Sequence, residues 1–284
     1  MFALLVFIHR QFGFIARAAW LFQEENFKYN TEFLDEKIAK KYAINESLLE
    51  IVKVSDFNSD NYIYSKYGVR KFGTLRDFLL KITSEDVEKF IRPHVEKRNS
   101  ELIYLANNNQ VPVFYKEHQN LTKNNQLKIV NKNIDFQFKF DLKEESLSYS
   151  LNLLENNKKV DLLGKNIEIV SNDPAIFILN NSLFMVELLR SKMIKTFTAN
   201  STVVVPKRVI ENYFNTYILK FLAHYEAIAE GFEITTEKII PEVVLVVKEG
   251  ISAEYEIEII FNYNNIKINS NYPKTKYLVQ QKND

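Results

Sequence analysis

Phenylalanines at 136, 138 and 140 alternate with Gln137, Lys139 and Asp141, a period of two that suits a strand with one buried face. Leu147, Tyr149, Leu151 and Leu153 repeat it after the polar turn Lys143–Ser146, so the two runs are expected to form a hairpin. Further strands are predicted at Val160–Leu163, Ile167–Val170, Ala175–Leu179 and Leu183–Val186, separated by turns rich in Asn or containing Gly or Pro. They read as an antiparallel meander. Two closing strands, Val243–Val247 and Tyr255–Tyr263, flank a turn at Gly250. The latter carries Glu254, Glu256 and Glu258 at its outer positions, where like charges repel unless a basic residue lies across from them.

Helical signals lie mainly before residue 110. The apolar run Phe2–Ile8 reads as a first strand turning near Gly13 into Phe14–Phe22, and Thr31–Tyr42 and Glu46–Val54 read as short helices, the second capped by Asn45. Thr74 with Asp77, and Thr83 with Asp86, have capping-box spacing. The second pair opens a long helix in which Val87, Ile91, Val95, Leu102 and Leu105 share a face. Pro93 falls inside it and removes a backbone donor, so the helix should kink or restart at Arg92. Pro206 is expected to open another helix, 206–229, striped by Ile210, Phe214, Tyr217, Phe221 and Tyr225 and ending near Gly231.

The predicted fold class is α+β: a small N-terminal α/β lobe at 1–115, a polar connector at 116–133, and a mainly antiparallel β lobe at 134–284 holding the 206–229 helix. A chain of 284 residues that is 46% hydrophobic has enough apolar mass for two cores. Six glycines and six prolines leave little room for a flexible linker.

Zero cysteines exclude disulfides, thiolate catalysis and cysteine-ligated zinc, and fit a cytoplasmic location. The apolar N-terminal run lacks a basic flank and is broken by His9-Arg10, unlike a signal peptide, and no apolar run is long enough to span a membrane. The only Gly-Lys pair, Gly164-Lys165, is followed by Asn166 and lacks the upstream glycine of a phosphate-binding loop. The four histidines have no metal-ligand spacing, so a lone His94 reads as structural. No catalytic residue, metal site or cofactor is predicted.

One local bias stands out in a chain with 37 basic and 36 acidic residues. Between Lys66 and Arg98 nine basic side chains face five acidic ones. Lys66, Arg70, Lys71, Arg76, Arg92, Lys97 and Arg98 are the candidate phosphate contacts, with Tyr62, Tyr64, Tyr67 and Phe72 near enough in sequence to stack on bases. Surface charges in front of buried aromatics would give the same pattern.

Several diffuse runs, Phe12–Ala16, Phe90–Arg98, Ala229–Ile234 and Ile259–Tyr263 within Pro206–Ile268, resemble the region that precedes the ATPase in bacterial helicase-like proteins of the Swi/Snf family. The resemblance implies a non-catalytic accessory region of an ATP-dependent DNA translocase. Duplex DNA and downstream ATPase lobes of the same polypeptide would be its partners, and ATP and magnesium would belong to those lobes. None of the family's helicase motifs occurs in the chain, so no functional residue carries over. A protein-interaction module without DNA binding, using its sheet faces or the polar strip of Tyr255–Tyr263, is the alternative reading.

Overall fold

Eight apolar residues followed by a turn at Gly13 give the first two strands of a computed structural model. It describes residues 1–269 apart from 25–26, 118–119, 133, 144–145, 188, 214–217, 219–226, 232–239, 250–254 and 264–265. β1 (Phe2–His9) and β2 (Gly13–Gln23) pair antiparallel, from Phe2 opposite Trp20 to His9 opposite Gly13. The turn is fastened by His9, whose Nδ1 accepts the N–H groups of Gln11 and Phe12 while its ring stacks on Phe12. β3 (Lys28–Phe33) then pairs with the second half of β2.

The predicted Thr31–Tyr42 helix is therefore too long at its start. Thr31 and Phe33 lie in β3 opposite Leu21 and Ala19, and α1 (Glu36–Ala39) begins only after Asp35, whose carboxylate accepts the Ile38 N–H at 2.7 Å. Strand pairing overrides the local helical preference there. Asn45 caps α2 (Glu46–Asp56) as expected, and Ser59 caps α3 (Asp60–Ile63), which continues as a π turn, Tyr64–Gly68. Thr74 and Thr83 accept the N–H groups of Asp77 and Asp86 and so open α4 (Leu75–Lys81) and α5 (Ser84–Asp86).

Pro93 is accommodated by a change of helical register. A π turn, Val87–Ile91, follows α5, the Arg92 N–H donates to the Val87 carbonyl, and α6 (Arg92–Asn108) restarts with proline in its first turn, where no intrahelical donor is needed. Val87, Ile91, Val95 and Leu102 are buried, as their spacing predicts.

β4 (Val113–Lys116) returns parallel to β1, and β5 (Leu121–Thr122) closes the other edge in the order β4-β1-β2-β3-β5. β6 (Lys128–Val130) joins a second sheet. The polar stretch 116–133 is thus not a connector: Leu121, Leu127 and Val130 are buried, while its Lys, Asn and Gln side chains dress the outside of short edge elements.

β7 (Ile134–Lys143) and β8 (Ser146–Glu155) are neighbouring strands that bury Phe138, Phe140, Leu147, Tyr149, Leu151 and Leu153, as their alternation predicts. Asn156 and Asn157, at φ 50° and 61°, turn the chain into β9 (Lys158–Lys159) against β8. The strand predicted at Val160–Leu163 is absent: the Val160 N–H still donates to Leu153 O of β8 at 2.8 Å, and the chain then turns at Leu163-Gly164. β10 (Glu168–Ser171), β11 (Ala175–Leu179) and β12 (Ser182–Val186) form the expected meander, with β6 parallel to β12. α7 (Ser191–Ala199), which no sequence signal above marks, buries Ile194 and Phe197.

Pro206 closes β13 (Val203–Pro206) instead of opening a helix, and α8 (Lys207–Tyr213) starts one residue later. β13 is an edge strand, where a missing donor is tolerated. Phe214, Tyr217, Phe221 and Tyr225 lie outside the described residues, but the predicted helix cannot reach 229, since β14 (Ala227–Glu230) is a strand parallel to β7. β15 (Glu242–Glu249), β16 (Tyr255–Tyr263) and β17 (Ile266–Asn269) make a separate antiparallel sheet.

The fold is α+β. It divides into one compact unit of Met1–Phe136 with Leu151–Thr202 and another of Gln137–Ser150 with Val203–Asp284. In the first, the face of the β1–β2 hairpin bearing Leu4, Val6, Ala16 and Ala18 packs on Ile51 and Val52 of α2 and Leu102 and Ile103 of α6. Asn99, fully buried on α6, pins that contact. Its Oδ1 accepts the Ala16 N–H at 2.8 Å and the Asn58 amide at 3.0 Å, while its Nδ2 donates to Phe14 O at 2.8 Å and Val170 O at 3.2 Å.

Replacing Asn99 strands several buried polar groups at once, each worth about 1–3 kcal/mol. Asn99→Leu, which keeps the branched shape with bulkier methyl ends, is expected to cost about 3–5 kcal/mol in urea unfolding, nearly as much as Asn99→Ala. A neutral Asn99→Leu would show that the network does not anchor α6.

Candidate nucleic-acid interface

The fold divides the basic run. Lys66 stands on the π turn after α3, and Lys97 and Arg98 stand on the second turn of α6; all three act electrostatically on His94. His94 is the centre of an aromatic cluster. Its Nε2–H donates to the Phe57 carbonyl at 3.0 Å, its ring stacks on Tyr62 at 5.8 Å, and Tyr67 meets it edge-on at 5.7 Å. Phe57 in turn packs against Tyr62 at 4.8 Å.

The cations lie over these rings. Lys66 Nζ is 5.3 Å from the Tyr67 centroid and 5.9 Å from that of Tyr62, and the Arg98 guanidinium sits 4.7 Å above Phe57. Such contacts hold a long side chain in place without neutralising it. Arg98 also pairs with Glu101, yet its buried Nε has no hydrogen-bond partner among the described residues. Lys97 is exposed and, among the described residues, makes no ion pair.

A close approach shapes this π turn. A side chain at Gly68 would come within 2.6 Å of Tyr64 and 2.7 Å of Phe78, so the turn can settle on the Phe78 core only with glycine there. Tyr64 and Phe72 belong to that core: both pack on Phe78, and the Tyr64 hydroxyl donates to Phe72 O at 3.0 Å. They are not free to stack on bases. Tyr62 and Tyr67 remain half-buried at the surface of the His94 cluster.

The other predicted contacts lie elsewhere. Lys71 is paired with Asp86 at 3.2 Å. The Arg92 Nε donates to Glu88 at 2.9 Å, and its guanidinium lies against Gly13, where an added Cβ would stand 2.2 Å from Nη1. Gly13 has a positive φ of 78°, so this turn needs glycine for its backbone as well as for the space. Arg76 joins Arg10 on the rim of an open depression of about 660 Å³ floored by Leu75, Leu79 and Leu80. Arg70 is exposed, without an ion pair among the described residues.

Reading the sequence as one cluster thus overestimates it: Lys66, Lys97 and Arg98 all act on His94, Lys71 and Arg92 are paired with Asp86 and Glu88, and Arg70 and Arg76 stand exposed on other segments. The residues missed were Phe57, the platform for Arg98, and His94 as the hub. The four-residue spacing of His94 and Arg98 on one helix face was the available signal.

Among the described residues no group of three or more His, Asp or Glu side chains could hold a metal ion, and no helix is long and apolar enough to cross a membrane. Comparison with protein families, curated proteins and solved structures gives no match.

Burial holds the His94 pKa below its ordinary 6.5; the Phe57 hydrogen bond opposes this, and Lys66, Arg98 and Lys97 reinforce it. The unfolded chain therefore binds the proton first as pH falls. Stability is unaffected by His94 above 6.5, drops as pH decreases through that value, and levels off once the folded form is protonated too. His94→Gln should flatten the loss of stability between about pH 7 and pH 5, measured by urea midpoints. An unchanged slope would place the acid sensitivity in other groups.

Proposed function

We propose that this chain is a non-catalytic accessory module that contacts duplex DNA through the Lys66–Lys97–Arg98 patch, as part of a Swi/Snf-like ATP-dependent translocase. The reading is supported chiefly by Lys66 and Arg98 lying over the Tyr62, Tyr67 and Phe57 rings, with Lys97 close enough to act electrostatically on His94. Phosphates favour such a patch because each neutralised contact releases counterions. The rings pack on one another at 4.8–5.8 Å, which suits them to positioning cations along a backbone more than to receiving splayed bases. The translocase context rests on the sequence resemblance, with ATP and magnesium assigned to ATPase lobes downstream.

The protein-interaction reading has its own support in the second unit. The face of the β15–β16 ladder bearing Val243, Leu245, Val247, Ile257 and Ile259 is exposed, with Leu245 at 59% and Ile257 at 65%. Contiguous exposed apolar surface of this kind marks interaction sites more often than it marks ordinary protein surface.

Titration against labelled duplex DNA at several salt concentrations tests the first reading. Lys66→Gln/Lys97→Gln should weaken binding and reduce the slope of log K against log salt by about 2, roughly one per lost phosphate contact. Lys71→Gln/Lys81→Gln removes two lysines already paired with Asp86 and Asp77, and should leave the slope nearly unchanged. Equal effects of the two pairs would mean diffuse charge instead of a patch. No binding by the parent chain at low salt would end the DNA reading.

A further inference from the structure

β15 is an edge strand: β16 lies on one side, and among the described residues no strand lies on the other. It is eight residues long, mostly apolar and well exposed, with Val243, Leu245 and Val247 at 59, 59 and 56%. Edge strands of this kind pair with other chains unless charges, proline or bulges prevent it. The charges of β15 stand only towards its ends, and their order is informative. Glu242-Val-Val-Leu-Val-Val-Lys248 reads with opposite charges at equal distances from Leu245, and Glu249 follows as the last residue of the strand.

We propose that two copies of this chain associate through β15, pairing antiparallel about a two-fold axis at Leu245 to join two three-stranded sheets into one of six. In this register Glu242 of each copy faces Lys248 of the other, Val243 faces Val247, Val244 faces Val246, and Leu245 faces itself. Directly opposite residues in an antiparallel pair share a face, so the apolar residues of both copies become one continuous surface. A shift of two residues either way leaves both Glu–Lys pairs unmatched. A one-residue shift in one direction sets Glu242 against Glu249, and in either direction puts the apolar face of one copy beside the other face of its partner. Within one copy Lys248 holds Glu258 of β16 at 2.6 Å and Glu242 accepts from Asn262 at 3.3 Å, so the pairs across the axis share each charge with a neighbour already in place. Pro241, which has no N–H, ends the ladder just before Glu242. The isologous geometry closes at two copies along this edge.

The proposal rests on the protein-interaction reading of this sheet and names its partner; it is independent of DNA contact. Because the chain has no cysteine, single introduced thiols report the register. On the two-fold axis Leu245→Cys places its Cα about 4.5–5.5 Å from its own copy, within disulfide range. Mild oxidation of the full chain should therefore give a covalent dimer with Leu245→Cys and none with Val243→Cys alone. A mixture of Val243→Cys and Val247→Cys should cross-link.

Sedimentation over about 1–100 µM should show a reversible dimer. Glu242→Lys or Lys248→Glu alone should weaken the dimer roughly tenfold, and mixing the two variants should restore it, because each variant then meets its complement. Circular dichroism confirms that each variant is folded. A monomeric parent chain, or Val243→Cys linking as readily as Leu245→Cys, overturns self-pairing. An apolar dye separates the two readings. Dye binding by a monomer that is lost in Leu245→Lys leaves the interaction face standing without self-pairing, whereas dye binding unaffected by Leu245→Lys removes both.

Discussion

The first unit depends on how the outer edge of β2 is satisfied. From Ala19 onward β3 pairs with that edge, and the Leu34 N–H still reaches the Ala18 carbonyl at 3.0 Å, but from Phe14 to the Ala18 N–H the edge lies beneath helices that offer no backbone partner. Buried N–H and C=O groups left open there would each cost as much as a lost hydrogen bond. Side chains take the place of a strand: Asn99 on Phe14 and Ala16, Asn58 on the Ala16 carbonyl, and Ser55 on the Ala18 N–H at 3.1 Å. Asn99 uses both donors and both acceptor sites, and through Val170 it also ties in the second sheet. These bonds fix the rotation and height of α6. His94, Lys97 and Arg98 are carried on the same helix within five residues of Asn99, so a buried amide sets where the surface patch stands.

Placement is only half of what makes the patch distinct; the remainder is competition for the cations. The helices around residues 74–92 are threaded with acidic residues at helical spacing, and Asp77, Asp86 and Glu88 each take a nearby cation. Exposed pairs of this kind add little stability, but they lower the local field. Around His94 the nearest partners are aromatic faces instead of carboxylates, apart from Glu101 beside Arg98. A ring quadrupole orients a cation and leaves its charge in place. Three positive groups thus remain close together, and the lowered proton affinity of His94 is partly their effect.

What could be read in the sequence was local. Capping by Asn45, Thr74 and Thr83 depends on residues three apart, and the Phe138–Phe140 and Leu147–Leu153 alternations depend on a period of two; all of these stand in the structure. What could not be read depended on distant partners. Thr31–Phe33 became a strand because β2 offered an edge, 227–230 because β7 did, and Pro206 ended a strand that, among the described residues, has β8 on one side and no strand on the other. The basic run shows the same division. Arg92 with Glu88 is an i,i+4 pair open to prediction, whereas Lys71 with Asp86, fifteen residues apart, needs α4 and α5 to be folded first.

The β15 edge is the converse case, a non-local feature written in local sequence. Natural edge strands defend themselves by interrupting their apolar run, commonly with an inward charge, a proline or a bulge. β15 keeps five consecutive apolar residues, Val243–Val247, in unbroken register with Phe261–Ile257, and its proline comes only before the strand begins. Its charges have been kept out of the centre, with Glu242 at one end and Lys248 followed by Glu249 at the other. Glu242 and Glu249 make two copies repel in the register that sets them opposite each other. Opposite signs at equal distance from Leu245 do the reverse: they penalise shifted registers and favour one. The order of charges along a single strand therefore argues for a specified partner more strongly than the amount of exposed apolar surface does.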